Sequence, residues 1–151
     1  MKDILEVTKT SRNMVSKLIQ GFTLEQLNKV PVGFNNNLIW NVAHIVVTQQ
    51  ILVYKLADLP MMISDDLVEK YKKGTKPEQD VTQEEVDEIM LLLHKTIEKT
   101  ETDSDSNLLQ KYTEYPTSTG YVIKTNTDSM SFNNFHEALH IGVIMAIRKL
   151  V

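Results

Sequence analysis

Apolar residues recur with a period near 3.6 along most of this 151-residue chain, and only five glycines and four prolines interrupt the pattern. Residues 3 to 21 predict a first amphipathic helix with Ile4, Val7, Val15, Leu18, Ile19 and Phe22 on its apolar side. The segment TLEQL at 23 to 27 opens with a capping box, Thr23 and Gln26, and predicts a short helix. A second long helix is expected from about Asn36 to Asp58, stopped by Pro60. It is apolar on nearly every side: Leu38, Ile39, Trp40, Val42, Ile45, Val46, Val47, Ile51, Leu52, Tyr54 and Leu56. Such a helix is either central or buried against a second chain, and in a protein this small the pattern points to a homodimer.

Ser64 to Lys73 predicts a short helix, and KKGTKPEQD a loop. TQEEVDEIMLLLHKTIEKTE predicts a third long helix, capped by Thr82 with Glu85, with Val86, Ile89, Met90, Leu93 and Ile97 as its stripe. TDSDSN is expected to break it. The long polar stretch that follows holds a few aromatics and an expected short strand at 121 to 124. A connection of that length inside a domain is usually functional or a cover. The last helix is expected to begin at Ser131 or a residue or two earlier, with Phe132, Phe135, Leu139, Val143, Ile147 and Leu150 as its buried side. Four long helices and almost no strand signal define an all-α fold, a four-helix bundle formed by a single domain over residues 1–151.

Composition narrows the functions. The apolar fraction of 42% and charged fraction of 24% are those of an ordinary globular protein. Net charge is −4 with a pI near 5.5, and Lys70, Lys72, Lys73 and Lys76 are too few and too diluted to form a phosphate-binding patch. Nucleic acid is therefore not an expected partner. With no cysteine, disulfides and thiolate ligands are excluded, so any metal must rest on His, Asp, Glu or water. MKDILEVTKT carries charge where a signal peptide needs an apolar run, and LIWNVAHIVV is too short to span a bilayer. A cytoplasmic protein without membrane contact is expected.

The chemistry lies in the histidines. HEALH at 136–140 is literally H-E-x-x-H, the zinc-protease helix motif. Spacing of four places His136 and His140 one above the other, with Cβ atoms about 5–6 Å apart. His44 sits one turn from Trp40 on a second apolar helix. Three neutral imidazoles directed into one bundle need partners for both nitrogens, and a divalent ion satisfies all three together. The protease reading fails on context, because only IGVIMAIRKLV follows His140 and it contains no further ligand. Glu137, about 100° around the helix from His136, is expected to turn away from the metal. His94 is read as a surface or interhelical residue.

Trp40 four residues before His44, the H-x-x-x-H of the last helix and Gly142 two residues after it together resemble the DinB/YfiT-like superfamily. The resemblance covers essentially the whole chain. It implies an up-down-down-up four-helix bundle with long connections, often dimeric, and a three-histidine site for a divalent metal. Carried over, the ligands are His44, His136 and His140, with water or substrate in an open fourth position. Many relatives carry Arg after the last histidine, where this chain has Ile141. Some relatives transfer low-molecular-weight thiols such as bacillithiol or mycothiol, and others are described only as metal-dependent hydrolases.

Two classes of function follow. One is a metal-dependent enzyme acting on a small molecule, by hydrolysis or by transfer of a low-molecular-weight thiol. The other is a non-enzymatic dimeric bundle with a structural or sensory metal, which a fourth protein ligand would favour. Nitrogen ligands and cellular availability place zinc first and nickel next. Asn41 and Thr48 around His44, with Asn133 and Glu137 beside His136, are the candidates to orient water or substrate. Taken alone, each has the more ordinary role of a helix amide, hydroxyl or carboxylate.

Overall fold

The computed structural model describes residues 2–106 and 108–151. Its helices are α1 (Lys2–Ile19), α2 (Leu24–Asn28), α3 (Leu38–Val53), α4 (Asp65–Tyr71), α5 (Gln83–Asp105) and α6 (Asn126–Ile147), with a 3-10 turn at Lys55–Ala57. The four long helices make the expected bundle. α3 packs against α5 and α6, and α1 packs against the same two helices from the other side. No helix is long and apolar enough to cross a membrane.

The starts of the helices follow from side-chain caps. Thr23 and Gln26 complete both halves of the capping box before α2. Asn37 caps α3, Ser64 caps α4 and Thr82 caps α5, each accepting a hydrogen bond from a backbone N–H in the first turn. α6 begins five residues earlier than Ser131. A capping box between Thr125 and Asp128 starts it at Asn126. Two ends also differ: α3, expected to reach about Asp58, ends at Val53 and gives way to the 3-10 turn, and α5 runs through TDSD to Asp105. There Asp103 is buried, accepting from the Tyr54 hydroxyl at 2.8 Å and pairing with Lys99.

α3 is the centre of the molecule: all of its residues except Thr48 and Ile51 are buried. α2, α4, α5 and α6 cover it within one chain, so its all-round apolarity requires no second copy. The apolar stripe expected on α6 is a correction. Phe135 (50%), Leu139 (53%) and Leu150 (51%) are exposed, and Phe132 and Val143 are half-buried. The buried side is instead Asn126, Ser129, Met130, Asn133, Glu137, Ile141, Ile144 and Ile147. α6 inserts polar groups because the bundle interior offers them partners.

One such partner is Arg12, part of a polar column along the inner face of α5. Arg12 of α1, 0% exposed, donates to the Leu93 carbonyl and to the Thr96 hydroxyl, both at 2.7 Å. Gln49 of α3 donates to Thr100 at 3.0 Å, and the hydroxyl of Tyr54, the residue after α3, lies 3.2 Å from the same oxygen. Arg12 also holds Glu137 of α6, with Nη2 2.8 Å and Nε 3.1 Å from the same carboxylate oxygen.

The long connection after α5 closes over one end as a small hairpin. β1 (Tyr115–Pro116) pairs antiparallel with β2 (Val122–Ile123), Tyr115 lying opposite Ile123. Tyr112 fastens it by donating to the Leu52 carbonyl at 3.0 Å, and Thr113 N–H donates to the Leu56 carbonyl at 2.7 Å. Tyr121 stacks on Phe132, with ring centroids 5.9 Å apart, and Tyr115 is exposed.

Candidate metal centre

His44 leaves the middle of α3 and meets His136 and His140 of α6, the three imidazoles lying with ring centroids 4.5–5.1 Å apart. One nitrogen from each lies within 4.8 Å of the others. His44 is buried, while His136 and His140 are half-buried at the edge of α6 between its core face and its exposed apolar face.

Each ring is oriented from behind. Nδ1 of His44 donates to the backbone carbonyl of Tyr71 at 2.6 Å. Tyr71 is the last residue of α4, where carbonyls lack helical partners, so a helix end supplies the acceptor. Tyr71 is itself fixed by its hydroxyl, which donates to Glu85 of α5 at 2.5 Å, and Lys70 pairs with the same carboxylate. One face of the His44 ring is covered by Trp40, stacked at 4.7 Å and 12°.

His140 is held through the cap of α3. Asn41 donates its amide to the Asn37 carbonyl at 2.7 Å, which turns its Oδ1 toward His140 to accept from Nδ1 at 2.8 Å. With Nδ1 protonated on His44 and His140, their Nε2 atoms carry free lone pairs. Such outward hydrogen bonds fix the tautomer and raise the basicity of metal-ligating imidazoles.

Nε2 of His136 lies 3.2 Å from Nε2 of His44. Two nitrogen lone pairs at that distance repel unless a proton or a cation lies between them. Two nitrogens bound to one tetrahedral zinc, each about 2.0–2.1 Å from it, lie about 3.3 Å apart. The donor set therefore fits a divalent transition metal. Burial keeps the imidazoles in the neutral form that ligation requires. It pushes His136 down to about 3, helped by repulsion from His140 and His44, and His140 down to about 4, helped by His44. Burial also lowers His44, against the opposing effect of its bond to the Tyr71 carbonyl.

The remaining sequence candidates separate cleanly. Asn41 orients His140. Thr48 places Oγ1 3.3 Å from Nε2 of His44, at the edge of the cluster. Asn133 and Glu137 do not reach the cluster centre: Asn133 donates to Glu137 at 2.8 Å, and Glu137 pairs with Arg12. Among the described residues the metal-competent group consists of the three histidines, with no carboxylate in it. His94 hydrogen-bonds Ser16 across α5 and α1 at 2.9 Å, an interhelical role.

Sequence reasoning missed Tyr71 and Arg12. A backbone carbonyl leaves no mark in a sequence. Arg12, however, stands four residues from Thr8 and three from Val15 on the buried side of α1, a register that could have revealed it.

A helical bundle with a three-histidine metal-competent site is the class these features define. The chain belongs to the DinB superfamily, whose family model matches residues 8–144. A comparison with curated proteins finds no match.

Proposed function

We propose that this protein is a metal-dependent enzyme in which His44, His136 and His140 hold a divalent cation, zinc before nickel. Its reaction is hydrolysis or the transfer of a low-molecular-weight thiol to a small electrophile. The observation that carries this reading is the convergence of three imidazoles, two of them with Nδ1 bonded outward so that Nε2 keeps its lone pair. When bound, a divalent ion on three neutral ligands supplies Lewis acidity and acidifies a water or thiol at an open position.

The chain's own residues prepare that chemistry. Tyr71 and Asn41 set the ring orientations, and Trp40 excludes water from one face of His44. The Thr48 hydroxyl is placed to hold the proton of a water or thiol entering beside His44. Glu137 is turned to Arg12 and lies outside the metal-competent group, so among the described residues it is not the fourth ligand that a structural site would use, which favours an enzyme over a structural or sensory bundle.

The homodimer belongs to this proposal on new grounds. Phe135 and Leu139 stand exposed on the outer face of α6, beside Phe132 and its stacked Tyr121, and a second copy would cover them.

Elemental analysis of untagged protein, wild type beside His44→Ala, tests the metal. Near-stoichiometric zinc or nickel lost in the variant supports the site, and assays of ester or amide hydrolysis and of thiol transfer then separate the two reactions. A wild type that stays metal-free and declines added zinc and nickel defeats the reading.

A further inference from the structure

Four buried side-chain atoms among the described residues have no hydrogen-bond partner: Asn36 Oδ1, Asn133 Oδ1, His136 Nδ1 and Glu137 Oε2. Three of the four belong to one turn of α6. An orphaned buried polar atom is costly, and three together call for a shared explanation.

Their chemistry is complementary. With Nε2 of His136 turned to the cluster as a ligand atom, Nδ1 carries the proton and is a donor. Glu137 Oε2 and Asn133 Oδ1 are acceptors. Both amide protons of Asn133 sit on Nδ2, which already donates to Glu137 Oε1, and that same oxygen receives Arg12. One water molecule matches this set, accepting from His136 Nδ1–H and donating one proton to each oxygen. Three hydrogen bonds is also the usual complement of a buried water.

We propose that a buried water joins His136 Nδ1 to Asn133 Oδ1 and Glu137 Oε2, making Asn133, Glu137 and Arg12 positioning residues for the third metal ligand. The inference rests on the three-histidine reading of the site. It gives His136 what Tyr71 gives His44 and Asn41 gives His140: an acceptor that fixes the ring and its tautomer. It differs in kind, because the acceptor behind the water is an anion. The negative charge of Glu137, held in place by Arg12 with side-chain exposures of 0% and 1%, strengthens the ligand through a hydrogen-bonded relay.

The test uses the full chain loaded with Zn²⁺ or Co²⁺. In the Co²⁺ form, the exchangeable imidazole N–H protons of the ligands are resolved by proton NMR. Asn133→Leu is expected to shift or broaden the His136 resonance while those of His44 and His140 hold, and to weaken Zn²⁺ binding about 10–100-fold in competition with a chelator. Glu137→Gln is expected to act in the same direction. Thr96→Val, which removes an Arg12 partner away from His136, is expected to lower stability and leave both readouts in place.

A crystal structure of the wild type is expected to show the water within hydrogen-bond distance of all three atoms. No density there, or an unchanged His136 resonance and Zn²⁺ affinity in Asn133→Leu, overturns the proposal. Where Glu137→Gln does not fold, Asn133→Leu decides, since it leaves the Arg12–Glu137 pair intact. A wild type that binds neither ion defeats the metal-site reading and the positioning role with it, and the crystal structure then judges the water by itself.

Discussion

Trp40 lies nearly parallel to His44, 12° between the planes and 4.7 Å between centroids, and it is the only tryptophan in the chain. Its indole is 4% exposed and its Nε1 donates to Thr75 at 3.3 Å. A cation drawn to His44 must change the electronic surroundings of that indole. Adding Ni²⁺ to metal-free protein is therefore expected to quench tryptophan emission saturably at one equivalent, and His44→Ala to abolish the response. Emission unchanged by a metal that elemental analysis shows to be bound would separate Trp40 from the site.

Asn41 is expected to matter for affinity more than for folding. Asn41→Ala removes the acceptor behind His140 while Asn37 still caps α3. Zn²⁺ affinity should fall about 10–100-fold. Chelator competition measures it, and a helical circular-dichroism spectrum like that of the wild type establishes that the fold has held.

Acid should weaken the metal-free protein. His136 and His140 stay neutral in the folded chain, near 3 and near 4, and His44 is also lowered by burial, whereas in the unfolded chain all three protonate around 6.5. Above that value neither state binds the extra protons and stability is fully present. As pH falls below it, the unfolded chain takes up protons that the folded chain refuses, and stability is lost progressively toward pH 4. Denaturant midpoints at pH 7, 6 and 5 are expected to fall in that order, and less steeply in His136→Gln. Zinc affinity should also hold between pH 7 and 5 better than at a site of exposed histidines, since His136 and His140 have little proton to release there.

The Arg12–Glu137 pair makes a sharper prediction about stability. Removing one partner leaves the other charge buried, so Arg12→Ala is expected to cost about 3–5 kcal/mol in chemical denaturation. The paired substitution Arg12→Met with Glu137→Leu replaces both charges by apolar volume and should recover much of that loss. Equal losses in the single and double variants would show that the charge itself is not what the core depends on.

Self-association can be read separately. Leu139→Glu places a charge on the exposed face of α6 and leaves both neighbouring core faces alone. If that face joins two copies, sedimentation should show the wild type as a dimer and the variant shifted to monomer.

The bundle and the three converging histidines were legible because periodicity and spacing are local. His136 and His140 lie one turn apart on any helix, and His44 was marked by its apolar neighbours. What escaped was decided by partners distant in sequence. Phe135 and Leu139 were assigned to the core on hydrophobicity alone, yet Asn133 and Glu137 take those positions because Arg12, 125 residues from Glu137, meets the carboxylate there. The early start of α6 was within reach: Thr125 and Asp128 stand at capping-box spacing, though with Asp in place of the usual Glu or Gln. The extended end of α5 was not, since it depends on Asp103 accepting from Tyr54.

The polar column along α5 also works as a gauge of height. α3 is keyed to α5 at Thr100, α1 to α5 at Thr96 and Leu93, and α6 to α1 through Glu137. A slip of α5 by one turn, about 5.4 Å, would break these keys together, with no alternative pairing in an apolar surround. His44 on α3 and His136 on α6 thus face one another at a level measured out by contacts around the other side of the bundle. The imidazole cluster has its vertical alignment set by groups that lie outside it.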